Sequence, residues 1–96
     1  MVTKDVEQGE LELVRETYGG DVYEYYPLGK YVVAAPGVCG GRPTIKYRRL
    51  DARHIIGYLN TGDTPQEIAE RHRIPVAAVR EVVELSAHYD YERAYA

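Results

Sequence analysis

Thr64-Pro65-Gln66-Glu67-Ile68-Ala69-Glu70-Arg71-His72-Arg73-Ile74-Pro75-Val76 decides the fold. Thr64 can accept from the free amides of a first helical turn. Pro65 suits the first helical position, where its missing N–H is not needed, and Glu67 completes a capping box. Ile68, Ala69 and His72 then share one face. Arg73-Ile74-Pro75 breaks the pattern, and a further helix starts at Pro75 or Val76. Val76, Val79, Val82, Val83 and Ser86 form its inward stripe and carry it to about Tyr91. Helix, short break, helix is the spacing of a helix-turn-helix. Ala69 is small where the two helices cross, and Ile68, Ile74, Val79 and Val82 occupy the motif's apolar positions. Arg73 stands where glycine usually takes a left-handed conformation, so steric cost is expected there.

The preceding segment supplies a third helix. Asp51 caps it, Ala52, Ile55, Ile56 and Leu59 recur at helical spacing, and Gly62 stops it. Residues 51–91 thus read as a tri-helical helix-turn-helix region. Pro36 to Pro43 carries two prolines and three glycines in eight residues, which excludes regular structure. Residues 36–50 are a Gly/Pro-rich basic loop, with Thr44 to Tyr47 a short extended piece. Before it, Leu11 to Tyr18, Val22 to Tyr26 and Tyr31 to Ala35 read as strands, separated by turns at Gly19-Gly20-Asp21 and Pro27-Leu28-Gly29. Residues 11–35 form a β-hairpin or small meander. Residues 1–10 are polar and aperiodic and are expected to be a mobile tail. The tail Asp90 to Ala96 alternates tyrosine with charge and is expected to fray. The class is α+β, one domain over 11–96, with the hairpin region preceding the helices.

The 96 residues carry a formal charge of -3. That sum hides an asymmetry. Residues 1–30 hold three basic and seven acidic groups, residues 31–64 five and two, and residues 65–96 four and six. A chain acidic overall is no bulk coater of nucleic acid, but the cluster Arg42, Lys46, Arg48, Arg49 and Arg53 can meet a phosphate backbone. Lys4, Asp5 and Glu7 interrupt any apolar leader, and no apolar run approaches a membrane span. One cysteine, Cys39, excludes an internal disulfide and fits a reducing cytoplasm.

Gly40-Gly41-Arg42-Pro43-Thr44-Ile45, then Arg49-Leu50, then Gly62-Asp63-Thr64-Pro65-Gln66-Glu67-Ile68 resemble the domain-of-unknown-function 433 family. The resemblance covers about residues 36 to 89, with Gly40, Gly41, Arg42, Pro43, Ile45 and Arg49 as signature positions. The chain departs from the family at Tyr47 and Arg48, where Gly-Thr is usual, and at Arg71 to Pro75, where the family turn is one residue longer. The tyrosine-rich start lies outside the family core. The resemblance implies a helix-turn-helix domain in a prokaryotic antitoxin of VapB type. Such a protein binds and silences a PIN-like ribonuclease toxin and represses the shared promoter.

Candidate sites follow. For double-stranded DNA they are Arg42, Lys46, Arg48, Arg49 and Arg53, with Ala77 and Arg80 on the third helix, whose expected exposed start also includes Ala78, Glu81 and Glu84. The two glutamates oppose phosphate binding there, which favours the alternative of a non-catalytic interaction or dimerisation module. Tyr23, Tyr25, Tyr26 and Tyr31 cluster on the hairpin and suggest a homodimer surface. No enzyme is expected, because nothing pairs Cys39 with His54, His72 or His88. The histidine spacing fits no metal site, and no cofactor motif is present. Gly40-Gly41 leads into Arg42-Pro43 and not into a helix, so these glycines serve backbone angles rather than phosphate binding.

Overall fold

The computed structural model describes residues 11–96, so the tail expected at 1–10 lies outside the described residues. Its order is β1 (Val14–Tyr18), β2 (Asp21–Pro27), β3 (Val32–Ala34), β4 (Thr44–Ile45), α1 (Ala52–Asn60), α2 (Pro65–His72) and α3 (Val76–Leu85). The strands form one antiparallel sheet in the order β1-β2-β3-β4, so the class is α+β as the sequence implies. β1 and β2 are joined by Gly19 and Gly20, both at positive φ, with Tyr18 opposite Asp21. Two such residues give the tight turn whose twist matches the strands.

α1 and α2 start on the side-chain caps that their sequences offer, and α3 follows Pro75 without one. The Asp51 carboxylate accepts from the Arg53 amide, and Thr64 and Glu67 form the reciprocal capping box. These bonds satisfy amides that the helix itself leaves unpaired. Arg73 ends α2 at φ 55°, the left-handed position expected of it.

Alternation along β3 divides the interior. Val32 and Ala34 face the main core with Ile45, Ile55, Ile68, Ile74, Ala78, Val79 and Val82. Val33 and Ala35 face the other side with Tyr25, against which Val14, Tyr23 and Val38 pack. Successive strand residues point to opposite faces, so one three-residue strand serves both clusters.

Four expectations are corrected. β1 begins at Val14 rather than Leu11. α3 stops at Leu85 rather than near Tyr91, and the Ser86 hydroxyl donates to the Val83 carbonyl as the chain turns away. The buried stripe of α3 is Ala78, Val79 and Val82, while Val83 points outward at 48% exposure. The tail does not fray. Tyr91 and Tyr95 are buried, Tyr91 donates its hydroxyl proton to the Val82 carbonyl, and the Asp90 amide donates to the Tyr95 hydroxyl. The amides of Tyr95 and Ala96 both donate to the Gly41 carbonyl, at 2.8 and 3.2 Å. Tyrosine and charge alternate because the rings turn in while Glu92 and Arg93 turn out.

Candidate nucleic-acid interface

The basic loop splits into two halves with different partners. In the first half, Arg42 reaches the buried carboxylate of Asp51 through Nε and Nη2, both at 3.2 Å. Arg53 stands beside the same carboxylate at 3.3 Å and donates to Glu92 at 2.8 Å. Asp51 is 3% exposed and also caps α1, so its charge is matched by two guanidiniums. Buried charges require such pairing. The Ala52 amide donates to the Pro43 carbonyl, which holds the loop against the helix start. Gly40 and Gly41 both have positive φ. A Cβ on Gly41 would lie 2.1 Å from the Ala96 carbonyl oxygen, so the folded-back tail requires glycine there. Arg42 and Arg53, two of the expected phosphate contacts, are therefore committed to the fold.

The second half points elsewhere. Thr44 is fully buried, and its hydroxyl donates to the Leu50 carbonyl at 2.8 Å, closing the loop 45–50. Arg48 and Arg49 are exposed, and Arg48 donates to the Arg73 carbonyl at 3.1 Å. That contact sets the loop beside the turn between α2 and α3. A groove of about 340 Å³ lies at this junction. Its apolar part is Ile45, Ile74 and Pro75, its rings are Tyr18, Tyr31 and Tyr47, and its cations are Lys30, Lys46 and Arg48. No carboxylate among the described residues lines it.

Tyrosines organise the hairpin side. Tyr18 and Tyr47 stack with centroids 4.0 Å apart and planes within 6°. Tyr23 lies 5.0 Å from Tyr47 and 5.2 Å from Tyr25. The Lys46 ammonium sits 4.6 Å from the Tyr25 ring and 5.0 Å from the Tyr47 ring. Glu16 accepts from the hydroxyls of Tyr47 and Tyr25, and the Tyr47 bond above all holds its carboxyl below the usual carboxylate range. The hydrogen bond to Tyr25 raises Lys46, and burial raises Tyr23. Tyr47 has φ 65°. A non-glycine residue rarely adopts this angle, and it falls where the resembling family carries glycine. The angle delivers the Tyr47 ring to Tyr18 and Glu16.

The four expected interface tyrosines find partners within the chain. Tyr25 is buried, Tyr23 is half-buried against Tyr47, and Tyr26 and Tyr31 pack on the main core. The exposed large apolar residues of the hairpin region are Leu13, Tyr18 and Val22 instead.

α3 also differs from expectation. Ala77, Arg80 and Glu84 are exposed, but Ala78 is fully buried. Glu81 turns inward. Its carboxylate accepts from the amides of Lys30, Tyr31 and Val32 at 3.0, 2.7 and 2.8 Å, holding the β2–β3 turn. A Cβ on Gly29 would meet the Glu81 carboxylate at 2.6 Å, so the turn lies directly on this side chain. One of the two acids that opposed phosphate binding is thereby consumed by the fold.

A family model described as a protein of unknown function, DUF433, matches residues 32–87, more than half of the chain. The chain belongs to the DUF433 family. No curated protein matches it, and no solved structure matches it. The DUF433 match takes in β3, the Gly-Gly-Arg-Pro loop, β4 and all three helices. Outside it lie the β1–β2 hairpin and the tail from His88, and both rest on the DUF433 loop: the hairpin on Tyr47 and the tail on Gly41.

Sequence reasoning missed Tyr18, Lys30, Tyr47 and Arg73, which the fold gathers around or beside the groove. The one signal in the sequence is Tyr47 at a family glycine position. Cys39 is half-buried with its Sγ 3.6 Å from the Thr44 hydroxyl, and His54 and His88 are exposed. His72 stacks on Tyr58. Among the described residues, no group of three or more His, Cys, Asp or Glu side chains could hold a metal ion. No helix of the described residues is long and apolar enough to cross a membrane.

Proposed function

We propose that this protein is a non-enzymatic, duplex-DNA-binding protein of antitoxin type. The observation that carries the reading is the gathering of Lys30, Arg48 and Arg73 beside the start of α3, with Glu81 withdrawn from that surface. In helix-turn-helix recognition, the first residues of the second helix reach base edges while neighbouring segments hold phosphates. Ala77 and Arg80 are the base-edge candidates, through a thymine methyl and a guanine edge respectively. The family resemblance extends the role to silencing a PIN-like ribonuclease toxin and repressing the shared promoter, in a reducing cytoplasm. A homodimer would read two half-sites, and its contact would run along the free edge of β1, flanked by Leu13 and Val22. The exposed Val83 on α3 favours a second reading, in which the helix face meets a protein and not DNA.

Fluorescence anisotropy on the gene's upstream duplex, beside a scrambled duplex, at about 50 and 200 mM salt separates these readings. The expected outcome is preference for the upstream duplex. Arg48→Glu combined with Arg49→Glu should abolish retention and leave the thermal melt unchanged. Each phosphate-binding cation replaced by a neutral side chain should lower the salt slope by about one unit. Retention unchanged by the double variant would sink the loop's role, and no binding to either duplex would favour the interaction module.

A further inference from the structure

The Tyr18–Tyr47 stack divides two grooves. The first, between the basic loop and the α2–α3 turn, carries Lys30 and Arg48. The second, of about 240 Å³, is lined by Val38, Tyr23 and both rings of the stack, with Arg48 and Arg49. Tyr18 is 49% exposed although one face lies on Tyr47 and the tilted Tyr23 ring stands 6.4 Å away, so ring surface remains open to solvent. Cations thus stand on both sides of an aromatic ridge with exposed ring surface.

We propose that this ridge binds single-stranded nucleic acid, a base continuing the stack on Tyr18 and the flanking phosphates lying along Lys30, Arg48 and Arg49. Stacking platforms bordered by basic grooves are the physical requirement for sequence-tolerant single-strand binding. Cations in both grooves fit a strand that crosses the ridge better than one isolated nucleotide. Two carboxylates stand near the ridge: Glu16, whose charge Lys46 offsets at 3.9 Å, and the exposed Asp21 opposite Tyr18 in the hairpin, so the phosphates lie on the Lys30, Arg48 and Arg49 side. The rigid stack also needs little ordering on binding. Tyr47 is pinned by its backbone amide, which donates to the Tyr23 hydroxyl at 3.1 Å. This proposal goes beyond duplex binding through α3 and does not depend on it.

The test is anisotropy of a labelled ten-nucleotide thymidine strand with the full chain. Unlabelled strand, duplex of equal length and thymidine monophosphate serve as competitors. Wild-type protein should bind the strand, Tyr18→Ala should weaken it about tenfold or more, and Tyr18→Trp should retain it. Tyr18→Ala removes an exposed side chain, and a wild-type-like melt would show that the fold persists. Lys30→Glu should weaken the strand as well, and the upstream duplex should bind Tyr18→Ala as it binds wild type. Three results would overturn the proposal: no strand binding by wild type, equal binding by folded Tyr18→Ala, or competition by the monophosphate at the strand's own concentration. Failure of duplex binding with strand binding intact would remove the α3 reading alone.

Discussion

Arg42 and Arg48 belong to the same basic loop, and their surroundings separate them. Arg42 lies on a carboxylate that is 3% exposed, under a tail that folds back onto Gly41. Arg48 lies in solvent beside a groove that no carboxylate lines among the described residues. A guanidinium already paired with a buried acid has no free charge for a phosphate, and removing Arg42 leaves Asp51 only the Arg53 contact at 3.3 Å. Composition counts both residues as one basic patch. The structure makes one a strut and leaves the other open to a ligand.

The largest expected effect falls on the strut. Asp51→Ala removes a helix cap and leaves Arg42 without a carboxylate, while Arg53 keeps Glu92, so it should cost about 2–4 kcal/mol. Arg48→Ala should cost no more than about 0.5 kcal/mol, as exposed substitutions do. Urea denaturation of both variants measures the contrast, and equal losses would erase the distinction between the two halves.

Next comes the tail that covers the first half. Gly41→Ala places a Cβ against the Ala96 carbonyl at a backbone angle that suits glycine. The expected loss is about 1–3 kcal/mol. The Tyr95 and Ala96 amides, which now donate to Gly41, should lose protection from hydrogen exchange. Unchanged protection would mean that the tail is held by its tyrosines alone.

The smallest effect lies in the exposed half. Glu16 titrates below the usual carboxylate range, chiefly because Tyr47 donates to it. A depressed folded-state value stabilises the charged form, so its contribution is complete above roughly pH 5 and fades as pH falls below about 4. Thermal melts at about pH 6 and pH 3 should show a smaller acid-induced drop for Glu16→Gln than for wild type. Identical drops would show that the tyrosine cluster does not depend on that charge.

These contrasts also mark what the sequence discloses. The capping box at Thr64 to Glu67, the Asp51 cap, the glycine pair at 19 and 20 and the strained Arg73 are all local, and each is legible in the chain. Local rules act within a few residues, where spacing alone brings the partners together. Glu81 reads as an exposed acid in sequence because its three partners lie about fifty residues away. The tail reads as frayed because its acceptor, the Gly41 carbonyl, is equally remote. Of the basic positions, Arg48 and Arg49 stay at the surface, while Arg42 and Arg53 go to a buried acid that the sequence marks only as a cap. Tyr47 is visible as a departure from the family, but its consequence needs the hairpin's position as well.

Glu81 has a mechanical consequence. Three amides converge on one carboxylate, and Gly29 leaves no slack beneath it, so α3 and the β2–β3 turn cannot slide or swivel against each other. The aromatic ridge therefore keeps a fixed bearing relative to the α3 axis. A torque applied at the hairpin reaches the helix through those bonds, and whatever seats α3 also aims the ridge.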